Sequence, residues 1–455
     1  MGADPARPSR MDAAASAIEA RLSTLDTAMV VFSLVVGIGI FRTPAIVARA
    51  AGDTFTFFTA WTLAGIVALM GALVFAEIGS RYPRAGGYYR VVADCYHPTL
   101  AFMLNWSQTL MQGAGAAGVA FIGADYLAPL VLPREWNTPR GSLVLACTTM
   151  LLLLLLNYRG IKPGAQTQNL LSVLKIAMIF GLAVLALALA PHYRGAEPVS
   201  SAAWSPRFAA ALVPCFYAYG GYQMTMNLGA DLKNARRSFP LAITAGMLTV
   251  VGLYLLINVA YERVLGTTGI ASSELVVAAL ARATFGRGGE VAVSVAVFLS
   301  AAGFVNATIM QMPRSFYAMA EDGVLPPAFL RVNPETQTQE AGLVFFGATM
   351  LLSALILGSF EELLHYVIFT DTLTLAVVAS TVFVLRRRGY GAGAFAGWGY
   401  PVMPALYIAC LLVVTLRVST LEPRLAIVGS GLLLVGWPLN WLGLKAFGAR
   451  RARAE

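Results

Sequence analysis

Two glycine clusters interrupt long apolar runs of this sequence and leave backbone groups where chemistry can use them. The first reads Gly37-Ile38-Gly39-Ile40-Phe41 with Pro44 close behind, and the second reads Tyr219-Gly220-Gly221 with Pro214 ahead of it. Glycine pairs weaken a helix locally, and backbone left unpaired inside an apolar layer is tolerated only where it lines a cavity or is covered by protein. The N–H groups that restart a helix around Ile38, Gly39 and Ile40 would form an anion site, aided by the helix dipole. No charged side chain is needed for it. Ile38 and Gly220 lie 182 residues apart, a unit of five helices. Corresponding breaks in two such halves point to an inverted repeat with a binding site midway through a bilayer. The alternative for any such glycine is close helix packing. We take that reading for Gly113, Gly115 and Gly118.

Ionisable residues inside apolar runs are the second source of chemistry. Lys175, in Gln168-Asn169-Leu170-Leu171-Ser172-Val173-Leu174-Lys175, is expensive at that depth. It should face a cavity or a cluster of carbonyls, unless it snorkels to the interface. Asp371 has three readings: a carrier of a coupled proton, a partner for Arg42, or a polar contact in the outer leaflet. Glu77 reads as a cap or ion pair at the end of its helix. The histidines His97, His192 and His365 are too far apart for a metal site or a catalytic triad.

The elements that must position these residues follow from composition. The chain has 455 residues, 58% of them apolar and 12% charged, with a mean hydropathy of +0.70. A soluble domain runs near half apolar and a quarter charged, so this balance is that of a helical membrane protein. Twelve helices of about 20 residues would need about 240 apolar-dominated positions, which the chain supplies. Apolar runs fall at roughly 28–50, 55–79, 99–132, 141–157, 169–190, 206–230, 239–262, 290–320, 341–358, 362–385, 401–418 and 424–446. The formal charge of +9 is scattered between these runs, so it does not form a nucleic-acid-binding stripe. With the N-terminus placed in the cytoplasm, 20 Lys and Arg fall inside and 10 outside, and Arg42 and Lys175 within runs complete the 32. This bias predicts that both termini are cytoplasmic. Residues 1–24 are polar and carry no apolar signal-peptide core, so they read as a cytoplasmic tail. Cys95, Cys147, Cys215 and Cys410 are widely spaced and read as reduced small hydrophobes.

Several further stretches have recognisable order. Ala76-Glu77-Ile78-Gly79-Ser80-Arg81-Tyr82-Pro83-Arg84-Ala85-Gly86-Gly87-Tyr88-Tyr89 closes the second run, and Ala218-Tyr219-Gly220-Gly221-Tyr222-Gln223 lies in the sixth. Asp231-Leu232-Lys233-Asn234-Ala235-Arg236-Arg237-Ser238-Phe239-Pro240 follows it. Then come Asn306, Pro313-Arg314-Ser315-Phe316-Tyr317-Ala318-Met319-Ala320 and Gly399-Tyr400-Pro401. Together with Gly37-Ile38-Gly39-Ile40-Phe41-Arg42-Thr43-Pro44, these resemble the amino acid/polyamine/organocation (APC) superfamily of permeases. Within it they are closest to the L-type amino acid transporters and their bacterial relatives. The likeness runs from about residue 25 to 410.

The resemblance implies an all-α integral membrane fold of about twelve helices, a LeuT-type 5+5 inverted repeat with the first and sixth helices broken. Its halves would be residues 25–190 and 206–388, followed by two peripheral helices over 400–446 and a cytoplasmic tail at 447–455. A zwitterionic amino acid would be bound by Val36, Gly37, Ile38, Gly39 and Ile40 at the first break and by Tyr217, Ala218, Tyr219, Gly220 and Gly221 at the second. The carbonyls of Val36, Tyr217 and Tyr219 would face its ammonium. The Tyr217 ring would gate the substrate, although a buried core aromatic looks the same in sequence. By the same resemblance Lys175 occupies the volume that sodium fills in sodium-coupled relatives. It would bridge the first and eighth helices near Val35 and Ser300 or Gly303, which implies sodium independence. Gln223 and Asn306, inside matching motifs, are secondary candidates. Arg42 departs from the pattern: it either favours an acidic substrate from within the site or reaches out to the surface, and we expect the second. Ile38, in place of a small residue, bears on pocket volume.

The function that follows is a secondary amino acid transporter working by alternating access, through exchange or proton symport, in a bacterial inner membrane. No cofactor or metal is called for; the partners are the amino acid substrate and the lipid bilayer, with no nucleic acid, and the sequence does not identify a protein partner. A membrane enzyme would be signalled by clustered histidines or carboxylates. A transport-like sensor would be expected to bring a long signalling tail. The runner-up is a polyamine or other organic-cation permease, which would need acidic residues that neither break contains.

Overall fold

Ser23 starts the first helix of the computed structural model, in which residues 18–37, 39–195, 204–273, 275–356, 360–421 and 423–448 are described. Its hydroxyl accepts from the Asp26 amide while the Asp26 carboxylate accepts from the Ser23 amide, a reciprocal cap on α1 (Thr24–Val35). The chain leaves the helix at Val36 and Gly37 and resumes it as α2 (Gly39–Ala51), bent by 41° from α1. Ile38 lies outside the described residues. Asp53 caps α3 (Thr54–Arg81), and the short α4 (Gly87–Cys95) follows. The pairs His97-Pro98 and Thr138-Pro139 each place a capping side chain before a proline. They open α5 (Pro98–Val131) and α6 (Pro139–Tyr158). Next come α7 (Ile161–Leu189) and α8 (Trp204–Ala218), which gives way to tight 3-10 turns over Tyr222–Asn227 and Gly229–Asp231. The rest is α9 (Ala235–Ser272), α10 (Val276–Phe285), α11 (Arg287–Glu321), α12 (Glu340–Ile356), α13 (Phe360–Arg387), α14 (Val402–Leu421) and α15 (Pro423–Gly443).

Each apolar run read from the sequence falls on one of these helices, or on α1–α2 and α8 with their continuations. By length and composition, α3, α5, α6, α7, α9, α11, α14 and α15 can cross a membrane, and the α1–α2 pair passes the same test as one bent span. The boundaries move where hydropathy misleads. α7 begins at Ile161 instead of near 169, because polar first turns precede the apolar stretch, and α9 continues past 262 to a break at Gly266 (φ 66°), beyond which a short helical stretch reaches Ser272. α4 and α10 were not anticipated; at 9 and 10 residues they are too short to register as apolar runs.

In the packing of the helices α3 lies against α9, α5 against α11, and α2 against α8. α1 is wedged among α7, α9 and α11. α13, α14 and α15 gather against α3 and α5. Small residues set some of these approaches. A methyl on Gly113 would come within 2.7 Å of Thr349 on α12, so this glycine does serve packing, whereas Gly115 has nothing within 4 Å of that position. Packing therefore explains the first and not the second.

One end of the bundle is tied by buried ion pairs. Glu77 accepts from Arg81 at 2.7 Å, from Arg386 at 2.6 and 2.7 Å, and from the Gly397 amide at 2.8 Å. Arg314 forks onto Asp231 at 3.0 and 3.1 Å, with side chains 6% and 0% exposed. Arg90 reaches Glu321 and, at 2.5 Å, Asp322. The segment before α1 pairs with the same region, through Leu22 N–H to the Asp231 carbonyl (2.8 Å) and Lys233 N–H to the Leu22 carbonyl (2.9 Å). Removing one member of the Arg314–Asp231 pair strands a charge. Arg314→Met should therefore lower the unfolding free energy of detergent-solubilised protein by about 3–5 kcal/mol, and adding Asp231→Leu should recover much of it. A single variant as stable as the parent would mean that the carboxylate reaches water.

Candidate functional site: two broken helices and a buried lysine

Where α1 stops, three helices supply donors to its exposed carbonyls. The Lys175 ammonium, on α7 and wholly buried, donates to the Val36 carbonyl. Ser300 on α11 donates to the Gly37 carbonyl at 2.9 Å and approaches that of Val36 at 3.4 Å. Tyr254 on α9 donates to the Val35 carbonyl at 3.3 Å. Lys175 thus sits on Val36, one residue beyond the Val35 expected of it, and meets α11 at Gly303, where a Cβ would stand 3.3 Å from its nitrogen. Any larger residue at 303 would crowd the ammonium.

The second break is held by its own backbone and by one side chain. The Gly220 amide donates to the Tyr217 carbonyl at 3.1 Å, and the Gly221 amide donates to the Gln223 side chain at 3.0 Å. Gly221 has φ 112°, and a Cβ there would run into the Leu34 carbonyl of α1. Across the pair, a Cβ on Gly39 would lie 3.5 Å from Ala218. The breaks therefore touch twice, Gly221 on the end of α1 and Gly39 on the end of α8. The first-turn amides of α2, from Gly39 and Ile40 onward, have no intrahelical acceptor, as at any helix start.

The Val36 and Tyr217 carbonyls, expected to face a substrate ammonium, each accept one internal donor, Lys175 for the first and the Gly220 amide for the second, while the Ser300 proton goes to Gly37. A carbonyl has two lone pairs, so each keeps one. Asn306, a secondary candidate, lies on α11. It is buried in a run of amides and hydroxyls, bonded to Asn157 (2.6 Å), Gln168 (2.9 Å) and the Gly164 carbonyl (3.2 Å). The run continues through Ser172 and Ser33, 2.9 Å apart, toward Lys175, and so ties α1, α6, α7 and α11 together.

The remaining candidates divide. Tyr219 is fully packed against Trp61 and Tyr254, with ring centroids 5.7 and 5.1 Å away. Tyr217 is 37% exposed, unlike its buried neighbours Ala218 and Tyr219. Gln223 holds Gly221 and is buried. Arg42 is half-buried on α2 and makes no ion pair with Asp371, which instead accepts from Gln108 on α5 at 2.7 Å. Gln108, Ser33 and Tyr254 were missed by sequence reasoning. A single hydroxyl or amide in an apolar helix gives no signal beyond its depth.

Gly220 and Gly221 separate two demands on the second break. Gly221→Ala should cost at least about 1–2 kcal/mol for its backbone angle alone, and more for the contact with Leu34; ligand-induced thermal stabilisation should vanish with it. Gly220→Ala, with its nearest neighbour at 3.4 Å, should keep both within error. Equal behaviour of the two variants would contradict this description of the break.

Comparison with known proteins agrees with the geometry. The sequence profile of the family described as amino acid permease matches residues 22–442. The serine/threonine exchanger SteT of Bacillus subtilis (strain 168) is 29% identical over 387 residues, covering 83% of this chain and 86% of that protein. The cystine/glutamate transporter of Pongo abelii is 25% identical over 441 residues (93% and 85%). The large neutral amino acids transporter small subunit 2 of Homo sapiens is 25% identical over 443 residues (94% and 81%). The polyamine runner-up finds no support among these relatives. With most of its length matched and its helices apolar enough to span a bilayer, the chain belongs to the amino acid permease family of the APC superfamily and is an integral membrane protein.

Proposed function

We propose that this chain is a sodium-independent secondary transporter of amino acids that works by alternating access, as an exchanger or a proton symporter. The observation that carries the reading is the Lys175 ammonium on the Val36 carbonyl, a fixed cation at the break of α1. A site already filled by a protein cation has no vacancy for sodium there, and the ammonium replaces the charge that a bound ion would bring. The names of the relatives, exchangers and transporters of amino acids, support the substrate class.

In this reading the amino acid lies between the breaks. Its carboxylate meets the first-turn amides of α2 at Gly39 and Ile40, with Gly37 giving access; Ile38, the third residue expected there, lies outside the described residues. Its ammonium faces the second break, at Ala218, Tyr219, Gly220 and Gly221, and the lone pair of the Val36 carbonyl that Lys175 leaves. Tyr217 covers it as a gate. The proposal includes twelve membrane crossings in two five-span repeats, residues 25–190 and 206–388, with 400–446 peripheral. The order of elements supports it: a broken span, a long helix, a short helix and three more spans, first in α1–α7 and again in α8–α13. Both termini would be cytoplasmic, in a bacterial inner membrane, a placement that rests on charge bias and on the likeness to the Bacillus exchanger.

Uptake of a labelled amino acid panel into proteoliposomes tests this. Replacing external sodium by choline should leave rates unchanged, and either internal substrate or an inward proton gradient should raise them. Decarboxylated and N-acetylated analogues should compete poorly. Gly39→Val should insert and fold but lose binding, because its methyls fill the 3.5 Å approach to Ala218 beside the α2 amides. Steep sodium dependence would remove the Lys175 argument, and full competition by the decarboxylated amine would remove the binding mode.

A further inference from the structure

Asp371 stands inside the protein on α13 with surface left over. One carboxylate oxygen accepts from Gln108 at 2.7 Å. Among the described residues no cationic side chain pairs with it. Instead, tyrosine hydroxyls from other elements lie within electrostatic reach: Tyr88 of α4, Tyr217 of α8, Tyr222 beyond the break and Tyr407 of α14. Tyr222 and Tyr407 satisfy each other at 2.9 Å. Tyr88, 1% exposed and beside Gln108, is left without a hydrogen bond of good geometry. A carboxylate with one partnered oxygen, and a buried hydroxyl with none, are costly in an apolar interior unless a visiting group completes them.

The visiting group has a place to come from. Asp371 is half-buried, Tyr217 is 37% exposed and within electrostatic reach of Asp371, and Tyr217 immediately precedes the second break. An amino acid held by its α-carboxylate and α-ammonium at the two breaks would project its side chain past Tyr217 toward Asp371. We infer that Asp371 is the side-chain acceptor of the pocket and that the transported amino acids are those whose side chains donate a hydrogen bond, hydroxylated or cationic, with acidic side chains rejected. The inference rests on the binding mode proposed above. Gln108 acts as a positioning residue: it fixes one oxygen and leaves the other for the substrate. A pocket built to bond a donor discriminates strongly against the isostere that lacks it, because the acceptor is then left dry and unpaired.

Ligand-induced thermal stabilisation of purified protein tests this without requiring transport. Threonine against valine, and lysine against norleucine, differ chiefly in the donor. The wild-type protein should prefer the donor in each pair by about ten- to hundred-fold, the range of a charge-assisted hydrogen bond, and should not bind aspartate. Asp371→Ala should bring the threonine/valine ratio close to one. Asp371→Asn, which keeps size and the Gln108 contact, should lower the lysine/norleucine ratio at least ten-fold and covers the case in which the alanine variant does not fold. Wild-type ratios near one, or ratios unmoved in the folded variants, would overturn the assignment. Threonine against its decarboxylated amine, 1-aminopropan-2-ol, in the same assay reads the binding mode itself: equal binding there defeats that mode, whatever Asp371 does.

Discussion

The carbonyls where α1 stops are the constraint on which the rest depends. In hydrocarbon a backbone group without a partner costs several kcal/mol, so a helix broken at mid-membrane survives only if other elements bring donors to it. Three do so here: Lys175 from α7, Ser300 from α11 and Tyr254 from α9. The lysine is itself expensive at that depth, and each liability offsets the other. The consequence is mechanical. The end of α1 is coupled to three helices through polar contacts at its weakest point, so α1 cannot tilt without exchanging those donors for others.

The second break adds a steric constraint to the polar one. Gly221, in a backbone region that favours glycine, lies against the Leu34 carbonyl, and Gly39 lies against Ala218. Movement at one break is therefore felt at the other. The end of the bundle carrying Glu77, Asp231 and Arg90 is fastened by ion pairs and by the strand-like segment at Leu22. At the opposite ends of these helices Arg207 holds Asp53 and the Ala51 carbonyl, and Arg49 holds the Ala271 carbonyl. Alternating access, as proposed, requires these fastenings to open in turn, and in that proposal the Lys175 contacts between them serve as the hinge.

What could be read beforehand was what is rare at lipid depth. Paired glycines at 37–39 and 220–221 and a lysine at 175 violate the expectations for an apolar helix, so each stood out and pointed to the same region. Contacts between distant, ordinary residues did not. Nothing in sequence links Gln108 to Asp371 or Asp231 to Arg314, because each partner is a common residue whose neighbour is set only by helix packing. The contacts of Asn306 with Gln168 and Asn157 are likewise set by packing, and its motif does not announce them. α4 and α10 escaped notice since short amphipathic helices lack the length that identifies a span.

Lys175→Met keeps the length of the side chain and removes its donors, so it isolates the interaction that the account puts at the centre. The measurement is substrate affinity on each face of the membrane, in proteoliposomes of right-side-out and inside-out orientation. The account predicts a folded protein whose affinities shift unequally on the two faces, because the carbonyl of Val36 has lost its partner and α1 no longer favours one arrangement. Affinities and rates equal to the wild type on both faces would contradict it.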